Sequence, residues 1–147
     1  MKNLRLAAAA ALSLAFTSLP AAADDWPVTP GEWVEVSMIT VDDGHDLEYA
    51  NHLAGQWRKG QDYAKSQGWI TGYEILTNAY PRDGEPGYYL ITRFTKFADP
   101  AEEERRDTAY NTYMQSTAAQ MQAASGERAK YRHLDGQMLL RSWTWKK

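Results

Sequence analysis

Apolar and polar positions alternate with a period of two from Glu32 to Val41, where Val34, Val36 and Met38 are apolar within a run rich in β-branched residues. This predicts a first strand. From Asp46 to Gln67 the spacing becomes helical: Ala50, Leu53, Trp57 and Ala64 fall on one stripe, with Leu47 and Ala54 on its edge and His52, Gln56, Lys59 and Tyr63 opposite. Gly68 is placed to stop that helix. Two further extended runs, Trp69 to Tyr80 and Tyr88 to Phe97, flank a segment dense in turn formers, Pro81 to Gly87. Asp99-Pro100 then opens a second helix, since Asp99 can cap, Pro100 has the right φ for the first turn and Glu102 sits where a capping-box acid belongs. Its stripe runs through Tyr110, Met114, Ala118 and Met121 to Gly126. A short charged segment, Glu127 to Asp135, adds a helical turn before the last strand, Gln137 to Trp145.

The order is therefore β-α-β-β-α-β, an α+β sheet with both helices on one face and the first strand between the third and the fourth. The other face needs a partner. Residues such as Trp33, Ile39, Ile91 and Trp143 are expected there, which predicts a homodimer.

The first residues have the build of a secretory signal: Lys2 and Arg5, an apolar stretch from Leu6 to Leu19, then Pro20 and three alanines. A cut before Asp24 is expected, because that stretch is short for a permanent anchor and Ala21 and Ala23 suit the peptidase. The domains are then a signal over residues 1–23, an extended leader over 24–31 and one folded domain over 32–147. The product is expected to be periplasmic or secreted, with no stable membrane anchor. Of 147 residues, 124 remain after removal of 23, enough for a core without disulfides, and the chain has no cysteine. Thiol catalysis and zinc–thiolate sites are excluded. Export takes Lys2 and Arg5 from 16 basic residues and nothing from 19 acidic ones, leaving a net charge of −5. That balance, with no basic stripe, speaks against nucleic acid.

Candidate chemistry is sparse. The three histidines, His45, His52 and His133, include no pair at the spacing that puts two imidazoles on one helix face, so no metal and no cofactor are expected. The loop Asp42 to Asp46 reads as a helix cap. His52, far from the apolar stripe, reads as solvated, yet it is the one helix-borne candidate for a general base, with Asn51 beside it. Glu35, Arg93 and Arg141 interrupt strands on what reads as one face. They form either an ion-pair network or, with one guanidinium free, a carboxylate site. Trp57 and Tyr73 could line a cavity for a planar apolar ligand, although core packing also explains large aromatics. No nucleophile elbow, phosphate loop or dinucleotide fingerprint occurs.

By element order and strand character over residues 31–146, the chain resembles the dimeric α/β-barrel superfamily, whose ferredoxin-like protomers pair their sheets into a barrel. That superfamily includes cofactor-free monooxygenases, haem-degrading enzymes, an EthD-like group and stress-response barrels. Its oxygenases use an Asn, a Trp and a His or Tyr from separate elements. Here Asn51, His52 and Trp57 share one helix, so the resemblance implies a fold and a dimer but transfers no catalytic site. Three functions are compatible with the residues. The first is binding of a small apolar or aromatic molecule through Glu35, Trp57, Tyr73, Arg93 or Arg141. The second is cofactor-independent oxygenation or isomerisation of an aromatic substrate. The third is a structural envelope role without a ligand.

Overall fold

The computed structural model describes residues 26–147; the expected signal and its cut before Asp24 lie outside the described residues. Among those residues the chain is α+β, with strands β1 (Val28–Val41), β2 (Gly72–Thr77), β3 (Tyr88–Phe94) and β4 (Arg132–Trp145) in one antiparallel sheet ordered β2-β3-β1-β4. β1 therefore lies between β3 and β4. It starts inside the stretch expected to be a leader: Val28, Thr29 and Pro30 already pair with Trp145, Thr144 and Trp143. Pro30 is tolerated because the register shifts immediately after it, at an irregularity where a missing N–H costs little.

The first helical segment comprises α1 (Asp46–His52), a π-helical turn at Leu53–Trp57 and α2 (Arg58–Ser66). Its N-cap is His45, without a side-chain cap bond. The acidic cap expected of the preceding loop is not formed, because Asp42 bonds His133 at 2.8 Å instead. Gly68 takes a φ of +69°, which a side chain would resist, and ends the segment. The second helical region starts as its sequence dictates: Asp99 accepts a bond from the Glu102 backbone N–H at 2.9 Å, with Pro100 in the first turn. It is two helices rather than one. α3 (Pro100–Met114) stops where Gln115 adopts a left-handed φ of 53°. Thr117 then caps α4 (Ala118–Arg128) in a reciprocal box with Gln120. α4 passes through Gly126, and β4 begins at Arg132, so the charged segment is part helix and part strand. Gly60 of α2 lets α3 come close, since a Cβ there would lie 2.2 Å from the Tyr110 hydroxyl.

Residues paired across strands share a face, and faces alternate along each strand. Ile39, opposite Tyr88, packs under the first helical segment with Tyr49, Leu53 and Tyr131, and Trp57 and Leu90 close the rim. Ile39 and Tyr49 keep only 2% of their surface, and burying side chains of this size is worth about 1.5–3 kcal/mol each. Val34 and Val36 fall on the opposite face, packed with Ile91, Met38 and Tyr89; every member of that second cluster is a strand residue. Leu76, Met138 and Leu140 pair with Tyr89, Val36 and Val34 and are 51%, 38% and 47% exposed beside them. Of the four residues expected on this bare face only Ile91 is there. Ile39 lies beneath the helix, Trp33 shares its side of β1, and Trp143 stands edge-on to Trp26 at 5.6 Å.

Candidate functional site: cavities around Trp57

The π-helical turn inserts an extra residue per turn just where the helix crosses the sheet, and such turns recur at functional sites. His52 just before it stacks on Tyr49, and Trp57 at its end packs against the Ile39 core on one side and borders open volume on the other. Trp57 forms a wall of three cavities.

The largest, about 450 Å³, lies between the helical segment and the edge of the sheet, with Ala50, Leu53, Ala54, Tyr73, Ile75 and Tyr88 around it. Alanines at 50 and 54 leave the volume that larger side chains would fill. Trp57 and Tyr73 meet edge to face at 5.3 Å, so the two aromatics singled out in the sequence do line one site. Both phenols hold their protons. Tyr88 is pushed up to about 12 by burial and by its bond to Asp46 at 2.8 Å, and Tyr73 is raised by donating to Asp62. Their hydroxyls are thus committed to neighbouring carboxylates, and the rings face the cavity.

The second cavity, about 240 Å³, lies between α1, α4 and the sheet. Ile39, Leu90, Leu134 and Trp57 supply apolar walls, and His52, Arg128 and Arg132 supply nitrogen donors. His52 is half-buried, not solvated as its distance from the apolar stripe suggests. Burial, then the charges of Arg128 and Arg132, push its imidazole down to about 4. Arg128 is itself pushed down, by burial and then by Arg132. A third cavity, about 280 Å³, runs along the outside of the helix between His52, Gln56, Tyr110 and Met121.

Glu35, Arg93 and Arg141 do not form a network. β1 residue Val34, not Glu35, is opposite Arg93, so the pleat puts Glu35 and Arg93 on different faces. Arg93 pairs with Glu74 of β2 at 2.7 Å on the bare face. Arg141 lies over the Trp33 ring at 4.6 Å and donates to the Gly31 carbonyl at 3.3 Å. Glu35 lines a separate cavity of about 360 Å³ with Trp69, Thr92 and Arg106. Asn51 is exposed and lines none of the cavities around Trp57.

Tyr49, Arg128 and Arg132 were not singled out by the sequence pattern. One signal was present: Met121, Ala124 and Arg128 follow helical spacing and share the outer cavity. Arg132 carried none, because it is the first residue of a strand in a segment that reads as an added helical turn. As a base, His52 is weak at neutral pH, and its ring stacks on Tyr49 at 6.0 Å. Among the described residues no group of three or more His, Asp or Glu side chains is placed to hold a metal ion, and no helix is long and apolar enough to cross a membrane. No family model matches the chain, and no curated protein matches it either.

Proposed function

We propose that the chain is an exported ferredoxin-like protomer that pairs through its bare sheet face into a dimeric α/β barrel and binds a small apolar or aromatic molecule beside Trp57. The strand order β2-β3-β1-β4 with helical crossovers supports the ferredoxin-like reading. On the face away from the helices Leu76, Met138 and Leu140 stand exposed around a buried centre of Val34, Val36 and Ile91, and this apolar surface supports pairing with a second copy. Lys2, Arg5 and the apolar stretch after them support export.

The observation that carries the binding reading is the cavity of about 450 Å³ walled by Trp57, Tyr73 and Ile75, with alanines where bulk would close it. Its lining suits a planar body and offers no free charge inside except Arg58 at the rim, itself paired with Asp62 at 3.6 Å. Open volume of that size favours a ligand over a purely structural envelope role. The weak basicity of His52 favours binding over oxygenation or isomerisation.

Native mass spectrometry of protein purified from the envelope, followed by calorimetric titration with indole and naphthalene, tests the reading. A dimer that takes up one ring compound per protomer is expected, with Trp57→Ala and Ala54→Leu each weakening uptake at least tenfold. A monomer with no uptake by wild type, or equal uptake by both variants, overturns it.

A further inference from the structure

The cavity between α1, α4 and β4 carries two guanidinium groups with no counter-ion. Among the described residues, Arg128 and Arg132 meet no carboxylate at ion-pair distance, and the side-chain bond of Arg132 is to the Ser125 hydroxyl at 3.3 Å. The acids nearest in sequence and space are engaged elsewhere. Glu48 bonds His45 at 3.0 Å, Asp42 bonds His133 at 2.8 Å, Glu127 bonds Lys130, and Asp135 accepts from Thr40 at 2.6 Å. Both arginines are half-buried and repel one another. Like charges held together without an anion cost stability, and a chain that keeps them has a use for an anion there.

We infer that Arg128 and Arg132 hold the carboxylate of a small organic acid whose apolar or aromatic body rests on Ile39, Leu90, Leu134 and Trp57. Two guanidinium forks offer more donors than one carboxylate can use, and the neutral imidazole of His52 adds a donor without adding charge. Free inorganic phosphate would satisfy the arginines but leave the apolar walls wet, so an amphipathic acid is favoured. This cavity shares only Trp57 with the one proposed above to take a ring compound, so the assignment adds a second, acid-binding site and stands independently of that reading.

Calorimetry on the mature protein with benzoate, phenylacetate and 3-phenylpropionate, their neutral amides and inorganic phosphate tests it. The best acid is expected to bind at least tenfold more tightly than its amide and than phosphate. Arg128→Gln and Arg132→Gln should each remove the preference for the acid while leaving amide binding within twofold. Without ligand, each variant should melt no lower than wild type, because one repulsion is relieved; this also shows that it folds. The His52 ring resonance should titrate at higher pH in the acid complex, since the bound anion offsets Arg128 and Arg132, the two charged groups that face it. Amides that match their acids, or phosphate that matches them, would overturn the acid assignment and leave the binding reading standing. No binding of any acid would likewise overturn the acid assignment, while uptake of indole or naphthalene decides the other reading separately.

Discussion

Towards the helices the central strand presents Glu35, Ser37 and Ile39; away from them it presents Val34, Val36 and Met38. Along this strand the covered side is thus the more polar of the two. The helices close tightly over only the Ile39 end of the sheet, through Tyr49 and Leu53, and leave cavities towards Ser37, Gln137 and Glu35 where polar side chains remain wet. The bare face has few polar interruptions and no helix residue in its cluster. The exposed apolar side chains of one layer are what the proposed pairing would cover, and the open volume beneath the helices is what the proposed ligand would fill.

The strongest way to break this contrast is to charge the bare face. Leu140 is 47% exposed, so Leu140→Arg does not disturb a filled core. It should nevertheless weaken self-association by at least a hundredfold, about 3 kcal/mol, because an unpaired cation would be buried between two sheets. Sedimentation equilibrium of wild type and variant measures it, and a variant as dimeric as wild type would place the interface elsewhere.

The same alternation explains what was legible beforehand. Element order, the Asp99-Pro100 boundary and the Gly68 stop follow from local chemistry that a short window contains. The pairing of Trp57 with Tyr73 was also legible, since each lies on the apolar face of its own element. Register was not. A shift of one residue moves a side chain through the sheet, which is why Glu35 and Arg93 were grouped together and why Trp33 and Ile39 were assigned to the wrong face. The break after Met114 could have been read from Thr117 and Gln120, a capping box inside an otherwise continuous stripe. Arg132 could not, because its place in the cavity depends on long-range pairing with Val41.

On the covered side, packing between helices offers a second, smaller lever. Gly60→Ala puts a methyl 2.2 Å from the Tyr110 hydroxyl oxygen and 3.1 Å from its Cζ. The gain in helix propensity, about 1 kcal/mol, does not offset displacement of the ring, and a net loss of about 1–2 kcal/mol is expected. Urea unfolding measures it. Restoration of wild-type stability by Gly60→Ala with Tyr110→Phe would locate the strain in that contact.

The proton chemistry of the cavity distinguishes the covered face more finely. The folded-state value of about 4 for His52 lies below its ordinary 6.5, so as pH falls from 6.5 towards 4 the unfolded chain takes up a proton that the folded one refuses. Stability is therefore lost across that window as pH falls. For a half-buried ring, screening by solvent reduces the effect to about 1 kcal/mol. His52→Gln should flatten the pH dependence there relative to wild type, as read from denaturant midpoints at pH 6.5, 5.5 and 4.5. Parallel curves for the two proteins would mean that neither burial nor the arginines hold the imidazole neutral in the folded chain.

The smallest effect tests the bare face again, through its one ion pair. Arg93 and Glu74 are 39% and 44% exposed in the single chain, and a pair this wet is worth under about 1 kcal/mol. Arg93→Met should cost no more than that when made in the monomeric Leu140→Arg background. In the proposed wild-type dimer the partner sheet would cover the pair, and removal of the cation would leave Glu74 desolvated and unpaired, so a larger loss is expected there. The difference between the two backgrounds is the informative quantity, because Arg93 and Leu140 both lie opposite Val34, in the same cross-strand row. Equal small losses in both would mean that the partner leaves this end of the row in water and that the interface is centred nearer Met38 and Tyr89.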